Sequence, residues 1–193
     1  MTPFELYLET GFHHILDIRG YDHILFVVVL CAAFEPDAWK KIIGLVTSFT
    51  IGHSITLILA SKELISVNSD LTELLIAVTI LMAAIGNFFR KPTYFLHEKT
   101  FSVNFLFAGG AGLIHGLGFS GFLKALLGAE ESIVTPLFAF NIGLEFGQII
   151  IVFVYMLISF ITISIFGVSQ HKWRFFLSAA VAGIALTLIL DRL

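Results

Sequence analysis

Histidines and acidic residues lie inside stretches that are otherwise almost wholly apolar, and they are the residues with which this chain could do chemistry. Together with nearby Thr, Asn and Gln residues they form four groups: His13, His14, Asp17, Asp22 and His23; Thr50 and His53; His115; and Asn141, Glu145 and Gln148. An ionisable group in hydrocarbon costs roughly 2.5–3.5 kcal/mol and usually faces a cavity or a partner. Imidazoles with a carboxylate suit Ni, Co, Zn, Cu(II) or Fe(II), whereas Mg and Ca prefer oxygen ligands. The residue types therefore predict a site for a divalent transition-metal ion.

The composition places these groups in a membrane. Of the 193 residues, 58% are hydrophobic and 13% are charged, against about 25% charged in soluble domains, and the mean hydropathy is +0.96. A spanning helix needs roughly 20 mostly apolar residues. We predict an all-α, polytopic membrane protein with one transmembrane domain over residues 1–193 and about six spans: 12–34, 39–60, 71–89, 101–127, 134–166 and 173–190. The fifth is long for one span and is expected to be tilted, broken or prolonged.

Charge sets the expected orientation and excludes some partners. Of the 11 Lys and Arg, seven lie in the odd-numbered loops and four on the other side. Because cytoplasmic loops carry the basic excess, we expect a multi-pass protein of the inner (plasma) membrane with both termini outside.

A net charge of −3 without a basic block argues against nucleic acid as a partner. Cys31 is the only cysteine, which excludes an intrachain disulfide, and the acidic N-terminal stretch predicts an uncleaved first span.

Four of the spans carry a candidate ligand at similar depth. At 1.5 Å per residue, His23, His115 and Glu145 lie about 16, 18 and 16 Å from the outer ends of their predicted spans. His53 lies about 10 Å from its outer end. We therefore predict a metal site formed by His14, Asp22, His23, His53, His115 and Glu145.

Further polar residues are expected to support this site. His13 and Asp17, which are four residues apart, predict a cation-collecting cluster at the outer mouth with His14, and Gly20 is expected to break the helix after it. Asp22 could instead orient His23 or pair with Arg19. Thr50, Asn141 and Gln148 are expected to surround the site, although Asn and Gln often only bridge helices. The 21 Phe are interpreted as lipid-facing or core-filling.

A weak similarity between the two halves of the sequence predicts two inverted three-helix repeats. FTIGH at 49–53 resembles FNIGLE at 140–145. Three helices in each half would invert the second half, as in many transporters with a site at the repeat interface. This alignment pairs His23 with His115, and His53 with Leu144 or Glu145.

Four motifs resemble the second branch of the HupE/UreJ family of small membrane proteins: GYDHILF at 20–26, SFTIGHSITLILA at 48–60, GLIHGLGFSGFL at 112–123 and FNIGLEFGQ at 140–148. The resemblance implies a polytopic inner-membrane protein linked to nickel or cobalt uptake. It also implies a His-Asp-His signature, carried here by His14 or His13 together with Asp22 and His23.

Three functions remain open at this point. The leading hypothesis is a nickel- or cobalt-type permease in which Glu145 or Asp22 exchanges a proton for the ion. The second is a membrane-embedded metal-dependent hydrolase acting on a lipid or small hydrophobic substrate, with Glu145 or Asp22 as general base. The third is a metal-sensing or assembly subunit. The apolar inner halves of the first and fifth spans argue against a simple channel. A homo-oligomer and an accessory metal-delivery protein both remain open as partners.

Overall fold

The computed structural model describes residues 2–65, 68–90, 98–128 and 132–193. Over these ranges the chain forms seven α-helices and no β-strand. The helices are α1 (Pro3–Ile15), α2 (Asp22–Ala32), α3 (Trp39–Ser61), α4 (Ser69–Phe88), α5 (Glu98–Leu127), α6 (Val134–Phe160) and α7 (Gln170–Leu190).

Five helices are long and apolar enough to cross a membrane: α3, α4, α5 from Val103, α6 and α7. They correspond to the second to sixth predicted spans and confirm the all-helical, multi-span fold. A single π-helical turn at Ile161–Ile165 extends α6 to 32 residues. At 1.5 Å per residue this is about 48 Å, more than a hydrocarbon core of about 30 Å. The fifth predicted span is therefore prolonged and not broken.

The first predicted span, 12–34, is not one continuous helix, and this part of the prediction is corrected. Helix α1 ends at Ile15 and α2 begins at Asp22. Between them, the Asp17 carboxylate accepts the backbone N–H of Arg19 at 2.9 Å. Such a side-chain bond offers the backbone an alternative to the helix, and Gly20 follows in the same non-helical stretch. The break therefore lies just before His23.

Two parallel helix pairs are held together by glycines. In the first pair, a Cβ added at Gly112 of α5 would overlap the Phe49 carbonyl of α3, and one at Gly116 would overlap the His53 carbonyl. Because both positions advance together along the two helices, α3 and α5 run in the same direction. Glycine allows backbones to approach this closely.

The second pair, α1 with α6, repeats these contacts. A Cβ at Gly11 of α1 would overlap the Phe140 carbonyl of α6, and one at Gly143 would overlap the Leu8 carbonyl. In the first pair, the contact of Gly112 with the Phe49 carbonyl corresponds to that of Gly11 with Phe140. The contact of Gly52 with the Gly109 carbonyl corresponds to that of Gly143 with Leu8. The correspondence therefore matches α3 with α6, and α5 with α1.

This correspondence revises the predicted pairing within the repeat. Gly112 corresponds to Gly11, so His115 corresponds to His14, since each lies three residues after its glycine. The sequence alignment paired His115 with His23 instead. The FTIGH and FNIGLE match is retained, and it pairs His53 with Leu144 and not with Glu145. The error arose because α2 adds a short helix to the first half, which shifts the alignment before α3.

Helices α1 and α2 together traverse the bundle as one discontinuous segment. Helix α1 begins at the end of the bundle where α6 begins, because the two run parallel. Helix α2 ends shortly before Trp39, where α3 begins at the opposite end. The 11 residues of α2 are about 16 Å long, roughly half of a hydrocarbon core. The break thus lies at mid-depth, a position at which transporters often place their sites.

Candidate metal centre

Three histidines from three helices meet at this break. His14 lies in the last turn of α1, His23 is the second residue of α2, and His53 lies on α3. One ring nitrogen from each lies within 4.8 Å of the other two. The ring centroids of His14 and His23 are 4.6 Å apart, and both are within 6.0 Å of that of His53. Donor atoms this close could bind one ion after small side-chain adjustments.

The nitrogens of this cluster are buried without hydrogen-bond partners among the described residues. They are Nε2 of His14, Nε2 of His23 and both ring nitrogens of His53. Leaving a buried polar atom unsatisfied costs about 1–3 kcal/mol, and such atoms call for a specific explanation. An ion bound by their lone pairs supplies one, because imidazole nitrogen is a common ligand of transition metals.

Asp22 lies beside the cluster and orients His23. Its Oδ1 is 3.1 Å from Nδ1 of His23 and also accepts the His23 backbone N–H at 2.9 Å. Since a carboxylate only accepts, it favours the tautomer with the proton on Nδ1 and the lone pair on Nε2. Of the roles left open for Asp22, this geometry supports the orienting one.

His115 extends the cluster. Its ring centroid is 5.0 Å from that of His23, although it is not one of the three residues with mutually close donor atoms. Its Nε2 is 3.2 Å from the hydroxyl of Thr79 on α4, which donates its proton to the Ile76 carbonyl at 2.7 Å. That hydroxyl must therefore accept from Nε2, which leaves the Nδ1 lone pair of His115 free. Nδ1 has no partner among the described residues.

Phenyl rings form the walls of the cluster. Phe119 stacks on His14 at 3.9 Å between centroids, and Phe140 lies 6.1 Å from His53. Phe49 and Phe26 lie 5.1 and 5.2 Å from His115. These Phe are core-filling, as predicted, and they also exclude water from the histidines. A low dielectric strengthens the attraction between an ion and its ligands.

A cavity of about 940 Å³, which we call the outer cavity, is lined by α1 from Leu6 onward, by the break after α1, and by Phe119 and Phe122 of α5. His14 lines the cavity and also belongs to the cluster, so it stands between the two. His13 and Asp17, the predicted capture residues, line it too. So does Glu9, whose carboxylate is 3.6 Å from Nε2 of His13. Glu9 was not among the predicted capture residues, although it lies four residues before His13 and so on the same helix face.

Glu145 lies apart from the histidines. Its carboxylate accepts a hydrogen bond from Thr47 on α3 at 2.5 Å. Thr47 lies six residues before His53, or about 9 Å along the helix. Depth along the span suggested the level of the histidines for Glu145, but its contact with Thr47 places it deeper, and depth does not determine the face, because adjacent helical residues point about 100° apart. Leu144, fully buried, occupies the position that corresponds to His53.

The residues predicted to surround the site bond to one another. Thr50 donates to Gln148 at 2.8 Å, and Ser54 donates to Asn141 at 2.6 Å. Together with Thr47 and Glu145 they form a row of three hydrogen-bonded pairs between α3 and α6, which we call the α3/α6 row. The Nε2 of Gln148 is buried without a partner among the described residues. The row runs from the level of His53 toward the end of the bundle opposite the outer cavity.

These features define a class of protein: a polytopic helical membrane protein whose discontinuous first segment brings histidines from three helices into a buried cluster. The profile of the family described as HupE / UreJ protein matches residues 1–191. The chain therefore belongs to this family, which confirms the resemblance of its four motifs. No curated protein and no solved structure matches the chain.

Proposed function

We propose that the protein is a permease for a divalent transition-metal ion of the nickel or cobalt type. The observation that carries the proposal is the buried cluster of His14, His23 and His53, which has free ring nitrogens and is joined to the outer cavity by His14. Membership of the HupE/UreJ family supports the same conclusion. The metal is the cargo, so binding must be strong enough for capture and weak enough for release.

The donor set supports selection of the ion. Neutral imidazoles favour Ni, Co or Zn over Mg and Ca, which prefer oxygen ligands and are more abundant competitors. The carboxylates of Glu9 and Asp17 line the outer cavity and would raise the local concentration of cations. Asp22 supplies a negative charge beside His23 to balance the bound ion. In this scheme His13, Glu9 and Asp17 capture the ion before His14 takes it inward.

The α3/α6 row supports passage beyond the cluster. The apolar inner halves of the first and fifth spans counted against transport when the sequence was considered alone. The row supplies hydroxyl, amide and carboxylate oxygens between α3 and α6, and on α6 it ends at Gln148, just before the apolar stretch that begins at Ile149. A membrane-embedded hydrolase needs no such groups on the far side of its metal. The row therefore supports the permease over the first part of the path inward from the cluster.

The proposal includes an orientation: the outer cavity faces the outside of the plasma membrane, and both termini lie there. The excess of Lys and Arg in the opposite loops supports it. Impermeant thiol reagents should label a cysteine placed at Leu193 in intact cells that carry Cys31→Ala. Labelling only after the membrane is opened would reverse the orientation.

The test of function is metal uptake by cells that lack other nickel and cobalt importers. His14→Ala, His23→Ala and His53→Ala should each abolish the uptake that the wild-type protein confers. His171→Ala is the matched control, because His171 is exposed at the start of α7 and should leave uptake unchanged. Immunoblots of membranes must show equal amounts of each variant. Wild-type uptake by all three cluster variants would refute the proposal, and metal binding without uptake would favour the enzyme or sensor.

A further inference from the structure

A second cavity, which none of the histidines lines, lies at the end of the bundle where α4 ends. Its volume is about 270 Å³, and residues of α2, α3, α4 and α5 line it. Its walls are mostly apolar, with Met82 and Val103 on the side that faces lipid, where they are 55% and 64% exposed. One small part of the lining is polar, and it consists of Arg90, Asn87 and Asn104.

The polar part offers hydrogen-bond donors without acceptors. Nε and Nη2 of Arg90 and Nδ2 of Asn104 are buried and unpartnered among the described residues. The Arg90 guanidinium lies 4.2 Å from the centroid of the Phe34 ring, which fixes its position over an aromatic face. Asn87 is occupied, because its Nδ2 donates to the Val29 carbonyl and to Ser178. The hydrogen-bond donors that remain available to a ligand are therefore those of Arg90 and Asn104.

The surroundings of Arg90 are positively charged. Arg174 donates to the Arg90 carbonyl at 2.8 Å, and its charge acts on the Arg90 guanidinium, while the Glu35 carboxylate acts on Arg174. Burial and the charge of Arg174 lower the pKa of Arg90 to about 10, which leaves it charged at neutral pH. Among the described residues, no carboxylate forms an ion pair with Arg90. A half-buried cation with free donors and no ion-pair partner in the described part of the chain is complementary to an anion.

We propose that this cavity binds an anionic phospholipid, with the phosphate on Arg90 and Asn104 and an acyl chain along Met82, Gly86 and Val103. A bilayer supplies such a molecule at the open side of the cavity, and basic pockets between membrane helices bind lipid headgroups in this way. The volume is just below the roughly 300–1,000 Å³ of pockets that enclose whole small molecules. It suits a ligand that leaves most of its tails outside. Free phosphate shares the headgroup chemistry but makes no use of the apolar walls.

Two variants separate the two halves of the site. Arg90→Gln removes the charge while keeping the backbone carbonyl that Arg174 needs. Gly86→Leu fills the apolar part, because a Cβ at Gly86 meets open space. A leucine is also a better helix former than glycine, so this variant should fold. The matched control is Gly183→Leu, at another exposed helical glycine with open space around it.

The test measures binding to nanodiscs and detergent-lipid micelles that contain phosphatidylglycerol or phosphatidylcholine, with native mass spectrometry counting retained lipid. The wild-type protein and Gly183→Leu should retain phosphatidylglycerol. Arg90→Gln should bind it at least about tenfold more weakly, as expected when a hydrogen bond to a charged group is lost. Gly86→Leu should lose it as well, although Arg90 is intact.

Three outcomes would overturn the proposal: equal retention of both lipids by the wild-type protein, undiminished retention by Gly86→Leu, or displacement of the lipid by millimolar inorganic phosphate. The last would identify a site for free anions. If Arg90→Gln fails to fold, Gly86→Leu decides the question alone. Because the assay contains no metal, its result is independent of the proposed permease function.

Discussion

Replacing Asp22 tests whether the histidine cluster binds metal through an oriented imidazole. In Asp22→Asn the side-chain amide can donate to Nδ1 of His23, which would favour the tautomer with the proton on Nε2. That nitrogen is the one that the cluster offers to an ion. The substitution therefore both removes a charge and blocks a ligand, while the shape of the side chain is retained.

The size of the effect follows from the geometry. The Asp22 carboxylate lies 3.1 Å from Nδ1 of His23, so an ion on the opposite nitrogen would be about 6 Å from it. A carboxylate and a divalent ion at about 6 Å attract each other by roughly 5.5 kcal/mol at an effective dielectric constant of 20, which sets an upper limit of about 10⁴-fold in Kd. Loss of such outer partners typically costs about 10–100-fold. We expect a Kd for Ni or Co raised 10–100-fold in Asp22→Asn, and by at least as much in Asp22→Ala.

Isothermal titration of the purified protein with Ni or Co measures this directly. Asp191→Asn is the control, because Asp191 is exposed at the end of α7 and far along the chain from the cluster. It should bind within twofold of the wild-type protein. Wild-type affinity in both Asp22 variants would refute the role of Asp22. If the cluster variants His23→Ala and His53→Ala also kept wild-type affinity, the metal site itself would be wrong.

Three other predictions concern packing, transport and selectivity. Gly11→Ala should lower the free energy of unfolding by about 1–3 kcal/mol in chemical denaturation, because its methyl group would overlap the Phe140 carbonyl; Gly86→Ala, with open space around it, should not lower it. Glu145→Gln should leave the Kd for Ni within twofold of the wild-type value but reduce uptake, because Glu145 lies beyond the cluster with Thr47. If Glu145→Gln raised the Kd as much as the histidine variants do, Glu145 would be a metal ligand after all. A 100-fold excess of Mg or Ca should not displace Co in a competition titration, and displacement would contradict a nitrogen ligand set.

The sequence predicts the helices well because membrane spans have a strong compositional signal. Five of the six predicted spans, from 39–60 to 173–190, correspond to long apolar helices. The first predicted span does not correspond to one helix, because hydropathy is averaged over about 20 residues and cannot resolve a non-helical break of six residues. The local signals for that break, Asp17 and Gly20, were present in the sequence. Gly20 was expected to break the helix, and the break also includes Asp17, which accepts a hydrogen bond from the Arg19 backbone, because α1 already ends at Ile15.

The site was only partly predictable, for a geometric reason. Depth along a span can be counted from the sequence, and it correctly grouped His23, His53 and His115. The face that a residue presents depends on how the helices pack, so Glu145 was grouped with them although Leu144 takes the equivalent face. Thr79 gave no signal, because one hydroxyl in an apolar helix usually bonds to its own backbone. Its contact with His115 is visible only in three dimensions.

The paired arrangement supports the proposed transport role of the histidines, because they lie on both helix pairs. His53 and His115 belong to the pair α3/α5, whereas His14 belongs to the pair α1/α6. An ion held by His14 and His53 therefore joins the two pairs, and it stabilises whichever relative position brings these donors together. The correspondence is incomplete, since Leu144 stands opposite His53, so the two pairs are not interchangeable. In the proposed permease, a site shared by two inverted but unequal halves would bind the ion from the outer cavity in one arrangement and release it toward the α3/α6 row in another.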